Sequence, residues 1–261
     1  MSAIGMSGSP NTSLKKENIR MEYTFRILRF DPVEDECPYF QDFSYKTQEK
    51  KSLLEALMDI RNEQDCTLSF RYSCREAICG SCAMVINGKP DLACRTMVGS
   101  LNSTLIIVEP LPNLEIQKDL AVDMEPFWRA LNKVEPYLFA GQERPEKGHR
   151  VEDKEMEKID QYIACILCGC CYSACPVVAR NENYLGPAAL AKLYRFVKDP
   201  RDKRGYARWS RVNTESGAWG CDTIFKCNEV CPKKVRPADG IEGLRRKLVV
   251  EKIMRGLRLR K

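Results

Sequence analysis

The 261-residue chain contains a single histidine, His149. That scarcity excludes His-rich zinc sites, histidine acid–base catalysis and histidine-ligated haem. Long apolar runs are missing too: the longest candidate, LIIV at 105–108, is far shorter than the roughly 18–20 residues needed to cross a bilayer. Residues 1–20 lack the apolar block of a secretory signal, so disulfide chemistry is not expected. This stretch, Ser-rich and weakly basic, fits a short disordered leader better than a transit peptide. Net positive charge is confined to one place. Residues 245–261 carry eight basic side chains and one acid, whereas the whole chain is only +6. The rest is therefore close to neutral, which argues against a nucleic-acid binder with its charge spread over a face.

Cysteine is what the chain has in excess: fourteen residues, clustered at short fixed spacings. In a reducing compartment such clusters are metal ligands first. With histidine almost absent, thiolate sulfur is left as the coordinating atom, and this soft donor set points to zinc or iron–sulfur clusters.

Hydrophobic content of 44% and charged content of 30% fit a globular protein, and the length suits two domains. Residues 22–30, 42–47 and 104–110 have the aromatic and branched composition of strands. Residues 51–63 read as a helix with Ser52 and Glu55 as a capping box and Leu53, Leu54, Leu57 and Ile60 on one side. Asn87-Gly88 predicts a hairpin within 83–94. These elements make 21–118 a mixed α/β unit. Residues 119–158 read as a connecting segment, helical over 119–139 with breaks at Pro126 and Pro136, then polar and exposed. From 159 to 261 the pattern is all-α, with helix candidates at 159–167, 187–198 and 238–256.

Cys74, Cys79 and Cys82 are spaced C-x4-C-x2-C, and Cys94 follows on the far arm of the predicted hairpin. This is the plant-type [2Fe–2S] spacing. A zinc site is the alternative, but zinc ribbons pair two CxxC knuckles and this loop has one. In CILCGCCYSACP, Cys165, Cys168, Cys171 and Cys175 followed by Pro176 match the bacterial run C-x2-C-x2-C-x3-C-P. CDTIFKCNEVCP at 221–232 falls in the same frame, with Ile224 in place of the second cysteine. In two-cluster ferredoxins the fourth cysteine of each run ligates the other cluster. The crossing assigns Cys165, Cys168, Cys171 and Cys231 to a [4Fe–4S] cluster, and leaves Cys221, Cys227 and Cys175 with three thiolates. A [3Fe–4S] cluster suits that site; the alternative is that Ile224 is ordinary core and a water or hydroxide completes a fourth iron. Cys37, Cys66 and Cys170 remain and are expected in packing.

Three stretches, SCREAICGSCAM with Cys94, CILCGCCYSACP and CDTIFKCNEVCPKK, occur in that order, with NYLGPAALAKLYRFVKDPRD between the last two. From about residue 22 onward the chain resembles the iron–sulfur subunits of the succinate dehydrogenase/fumarate reductase family. The resemblance implies an α+β fold: an N-terminal plant-type ferredoxin-like β-grasp domain followed by an all-α two-cluster ferredoxin-like domain. It implies a [2Fe–2S], [4Fe–4S] and [3Fe–4S] relay of single electrons between the FAD of a flavoprotein partner, where the dicarboxylate chemistry occurs, and a quinone at membrane-anchor subunits, with or without haem b. The placement implied is peripheral, on the cytoplasmic face of the bacterial inner membrane.

The chain departs from ubiquinone-reactive members, which carry a tryptophan shortly after the Cys-Pro and a histidine after the first cysteine of the second run. Here Val177, Val178, Ala179 and Arg180 follow Pro176, and Asp222 follows Cys221. Those contacts do not carry over, and the departure leans towards menaquinone, with Pro176 and Lys233 as candidate quinone-site wall residues. Two other readings stand beside this one: a soluble fumarate reductase subunit with a non-quinone donor, and a zinc-stabilised interaction protein. In the basic tail, Val250, Ile253, Met254 and Leu257 form an apolar helical face. It is expected to dock on the core or, alternatively, to meet an anionic partner or lipid head groups.

Overall fold

The computed structural model describes residues 21–47, 50–141 and 145–258; the expected leader lies outside them. β1 (Met21–Arg29) alternates as a half-buried strand should, sending Tyr23, Phe25, Ile27 and Arg29 inward. It pairs antiparallel with β2 (Tyr39–Thr47) and parallel with β5 (Leu105–Glu109). β3 (Ala83–Ile86) and β4 (Lys89–Leu92) form the predicted hairpin, with Asn87 and Gly88 both at positive φ, +47° and +78°. The five-stranded mixed sheet runs β2-β1-β5-β3-β4. Pro90 is tolerated because β4 is an edge strand.

Helix α1 (Leu53–Glu63) buries Leu53, Leu54, Leu57 and Ile60, and both halves of the Ser52–Glu55 capping box form. The sheet and α1 give the expected β-grasp arrangement. Arg29 closes the end of this core. Its guanidinium is buried among Asp119 at 2.9 Å, Asp65 at 2.7 Å and Thr67 at 2.8 Å.

The expected helix over 119–139 forms only in part. β6 (Ile116–Lys118) and β7 (Ala121–Val122) make a small hairpin, and α2 begins later, at Glu125–Lys133. Asp119 turns the chain at φ +48°, and its carboxylate accepts from Arg29 and from the Phe30 and Ser69 amides. A carboxylate held that way anchors a turn, and this overrides the local helical pattern.

The second domain is helical. Short α3 (Asp153–Met156), α4 (Asp160–Ile163), α5 (Cys170–Ser173) and α6 (Pro176–Arg180) precede the central α7 (Gly186–Lys198). Then come α8 (Tyr206–Ser210), α9 (Lys226–Glu229) and the long α10 (Pro237–Arg258), which packs on α7. The candidate helix at 159–167 ends at Ile163, because Leu167 takes φ +57°. Buried Arg208 ties the chain before this domain down: it donates to Glu135 O at 2.7 Å and Tyr137 O at 2.9 Å, and it pairs with Asp202.

α10 docks through Ile241, Leu244 and Leu248, and further along it the Arg255 guanidinium lies over the Tyr206 ring at 3.5 Å. Val250, Ile253, Met254 and Leu257 stay exposed, so the expectation that this face packs on the core is corrected. Among the described residues, no helix is long and apolar enough to cross a membrane.

Candidate functional site: three cysteine pockets

The first loop, 73–82, has no regular structure. Arg75, Ala77 and Gly80 all take positive φ, which turns successive amides inward. Cys74 Sγ accepts from Cys79 N at 3.2 Å and Ile78 N at 3.3 Å, and Cys94 Sγ accepts from Ala77 N at 3.2 Å. Burial works against ionisation at Cys79, but the Ser81 hydroxyl and the Cys74 and Ser81 amides pull its thiol down to about 6. Cys82 lies deeper, and burial pushes its thiol up to about 12. A loop already organised to neutralise negative sulfur fits a [2Fe–2S] group.

The two runs in the helical domain fold alike. Leu167 and Gly169 flank Cys168 in left-handed conformations, as Thr223 and Phe225 flank Ile224. Each run then enters a four-residue helix, α5 or α9, starting at the equivalent position. The Thr223 amide donates to Cys221 Sγ at 3.3 Å, and the equivalent Leu167 amide faces Cys165. The internal repeat is thus a repeat of backbone as well as of letters.

Two cavities lie between the runs, and each draws on both. Cys165, Cys168, Cys171 and Cys231 line one, partly open to solvent. Cys175, Cys221 and Cys227 line the other, together with Ile224, Phe225 and Tyr184. The cysteines expected to cross over, Cys175 and Cys231, sit with the opposite run. Burial pushes up the thiols of Cys165, Cys171, Cys175 and Cys231, while burial with the neighbouring Cys221 and Cys175 sulfurs lifts Cys227 to about 12. Crowded buried thiols resist losing protons unless a cation takes their place, which is the donor chemistry of a metal cluster.

Cys170, expected in packing, is fully buried, and its thiol bonds to Cys168, lowering the Cys168 pKa. Cys37 and Cys66 are exposed, so their expected packing role is corrected. Ile224 is 48% exposed, which removes the alternative that it is ordinary core. Pro176 lines the Ile224 cavity, but Lys233 lines the other, so the two residues expected to share one wall are separated. Lys233 follows Cys231 closely in the chain and is carried with it to the first run's cavity.

The loop and the first run touch. A Cβ at Gly80 would lie 2.8 Å from Cys168 Cα, so only glycine fits there, and its φ of +76° makes the same demand. Arg95 donates to Pro232 O, and Asn113 Nδ2 to Ser173 O at 2.8 Å, across the same junction. The other cavity is lined by exposed Ile224 and Phe225 and by Asp222, whose carboxylate pairs with Arg180.

Sequence reasoning gave no role to three residues that shape this region. Arg245, read only as tail charge, donates to Ala218 O at 2.8 Å and also to Cys221 O, and so fixes the loop carrying Cys221. Asn228 accepts from the Ala238 amide at 3.0 Å and starts α10. Tyr184 lies in the characteristic segment between the runs; it follows Asn181, Glu182 and Asn183 and carries no sequence signal of its own.

A family model of the 2Fe-2S iron-sulfur cluster binding domain matches residues 24–129, and one of the 4Fe-4S dicluster domain matches residues 161–235. The chain is 41% identical over 231 residues to the succinate dehydrogenase iron-sulfur subunit of Coxiella burnetii, covering 87% of this chain and 97% of that one. It is 38% identical over 227 residues to the fumarate reductase iron-sulfur subunit of Haemophilus influenzae, covering 82% and 88%. In fold it resembles a chain of the Mycobacterium smegmatis Sdh1 complex in the apo form, with a TM-score of 0.82 at 22% identity, over 90% of this chain and 98% of that one. Identity at that level over nearly the whole length, with both domain models in order, places the chain in the succinate dehydrogenase/fumarate reductase family as an iron–sulfur subunit.

Proposed function

We propose that the three pockets hold a [2Fe–2S] cluster on Cys74, Cys79, Cys82 and Cys94, a [4Fe–4S] cluster on Cys165, Cys168, Cys171 and Cys231, and a [3Fe–4S] cluster on Cys175, Cys221 and Cys227. Bound there, the clusters supply one-electron carriers between a two-electron flavin and a quinone. The observation that carries the reading is the exchange of Cys175 and Cys231 between runs more than 40 residues apart, each completing the other's cavity.

The chain's own residues set the order. Gly80 lets the first loop press on Cys168, so the first and second pockets adjoin across the domain junction. Ile224 withholds a fourth thiolate at the pocket that opens outward, and Val177 and Val178 are buried beside Pro176. In this reading the first loop faces the FAD-bearing flavoprotein, and the mouth lined by Ile224 and Phe225 faces a membrane anchor and its quinone. Arg180 and Asp222 stand at that mouth where a ubiquinone-type tryptophan and histidine are missing, which favours menaquinone. The exposed half of α10, apolar with basic flanks, suits an anionic surface beside the anchor, at the cytoplasmic face of the inner membrane.

Redox titration of the purified complex, followed by low-temperature EPR, tests this. Three separate iron–sulfur signals are expected, one of them of three-iron type in the oxidised protein. Two four-iron signals and no three-iron signal would remove the reading of the Ile224 pocket. A complex that purifies active from the aqueous fraction without a membrane subunit would instead support the soluble reading.

A further inference from the structure

Tyr184 is 1% exposed, and among the described residues its buried hydroxyl meets no partner in hydrogen-bond geometry. Buried hydroxyls are almost always paired, so the missing partner calls for one. The side chain lines the cavity of Cys175, Cys221 and Cys227; burial acts first on its hydroxyl, and after it the sulfurs of these residues, with Cys221 near enough to be its nearest acceptor. Its position is fixed from three sides. A Cβ at Gly220 would lie 3.0 Å from Tyr184 Cδ2, the Tyr184 amide donates to Asn181 O at 3.0 Å, and the next amide donates to Ser216 O at 2.9 Å.

Other acceptors in this cavity are engaged. The Asp222 carboxylate pairs with Arg180, and Thr223 Oγ1 accepts from Arg245 at 3.0 Å. Lys226 is a donor and already pairs with Glu229. Sulfur is what remains. The other cavity has no equivalent: apart from its thiols it is lined by apolar residues, glycine and Lys233.

We propose that the Tyr184 hydroxyl donates a hydrogen bond to a sulfur of the cluster held by Cys175, Cys221 and Cys227, and so raises the reduction potential of that cluster selectively; this rests on the reading of that cavity as the three-iron site. Reduction adds negative charge to the sulfurs, and a hydrogen bond to a charged acceptor is stronger than one to a neutral acceptor. The donor therefore stabilises the reduced state more than the oxidised one, and hydrogen bonds to cluster sulfur are an established lever on potential.

The test is Tyr184→Phe in the intact complex, which keeps the ring on Gly220. Two readouts are followed on the same EPR signal: its midpoint potential, and the coupling of an exchangeable proton in ENDOR spectra recorded in H2O and D2O. The variant should lose one exchangeable proton, and its reduced-to-oxidised ratio at fixed ambient potential should fall about fivefold, with the other two clusters unmoved. A wild-type complex without a three-iron signal would sink the cluster assignment and this inference with it. A signal present in both proteins, with unchanged potential and proton coupling, would overturn the inference alone. Loss of the cluster from the Phe variant would overturn it too, by giving the hydroxyl a part in assembly instead of tuning.

Discussion

The runs 165–176 and 221–232 share a backbone and differ in what one position faces. Cys168 lies at the domain junction, in contact with Gly80, whereas Ile224 is half-exposed at an open mouth. The same frame thus serves two surroundings: one beside the domain junction with a full set of thiolates, the other facing outward with a set one short. In a one-electron relay the junction pocket suits a carrier passing electrons within the protein, and the outward one a carrier meeting an outside acceptor.

Removing a thiolate tests the open pocket most severely. Cys227→Ala leaves Cys175 and Cys221 alone, and the cluster should be lost. Quinone-linked turnover should fall by at least about 100-fold, beyond the range seen when only a residue supporting a metal ligand changes. EPR and a steady-state quinone assay measure both. Retained turnover would show that this pocket is not on the electron path.

Cys168→Ile would make the first run read like the second. The cavity of Cys165, Cys171 and Cys231 should then hold a three-iron cluster, visible as a second signal of that type. The larger side chain must also fit against Gly80, so the variant should lose about 1–3 kcal/mol by overpacking. Thermal unfolding should shift down by about 2–10 °C. An unchanged Tm would mean the junction yields more readily than the close approach at Gly80 indicates.

The reverse exchange, Ile224→Cys, restores a fourth thiolate at an exposed site and should barely alter stability. Its effect is electronic: conversion to four irons and a lower potential. An unchanged low-temperature EPR signal would sink the idea that Ile224 selects the cluster type.

How far this contrast was legible in the letters depends on its range. The strands, the Ser52–Glu55 box and the Asn87-Gly88 turn are local, and so is the cysteine frame. Even the crossing of Cys175 and Cys231 follows from a known spacing. What stayed hidden was set by partners far along the chain. Asp119 makes a turn in place of a helix because Arg29, 90 positions earlier, holds its carboxylate. Lys233 was grouped with Pro176, yet Cys231 carries it to the other cavity. The buried Tyr184 hydroxyl and the Arg245 clamp on Cys221 depend on where α7 and α10 come to rest. No periodicity announces such contacts.

Acidity separates the first loop from the runs. Clusters bind thiolates, so assembly releases protons and affinity rises with pH. In the loop Cys79 is lowered to about 6 and only Cys82 is raised, to about 12, whereas in the runs Cys165, Cys171, Cys175, Cys227 and Cys231 are all raised, chiefly by burial, and hold their protons more tightly. Lowering the pH of in vitro reconstitution from about 8 to about 6.5 should therefore depress the yield of the two helical-domain clusters more than that of the loop cluster. Absorbance and EPR quantify each. Parallel losses would show that the loop and the runs meet the same proton demand.

The smallest effect concerns the paired positions Gly169 and Phe225. Both are left-handed, at φ +88° and +64°. At 169 glycine is required twice over, since a Cβ would also come within 3.2 Å of Met124 Cε. At 225 a phenylalanine accepts the same backbone, and at 41% exposure it recovers only part of its burial. A left-handed non-glycine residue costs about 1–2 kcal/mol, while partial burial of a phenylalanine ring returns a similar amount and glycine's greater freedom in the unfolded chain adds to the cost of removing it. Phe225→Gly should accordingly change the stability of the isolated subunit by no more than about 1 kcal/mol, read as a small shift in Tm. If the Phe225 ring is part of the face that meets the anchor, the same variant should weaken assembly of the whole complex. A subunit of nearly unchanged stability, joined to a complex made less stable, would place the reason for Phe225 outside this chain; no change in either would leave the ring without a role at that face.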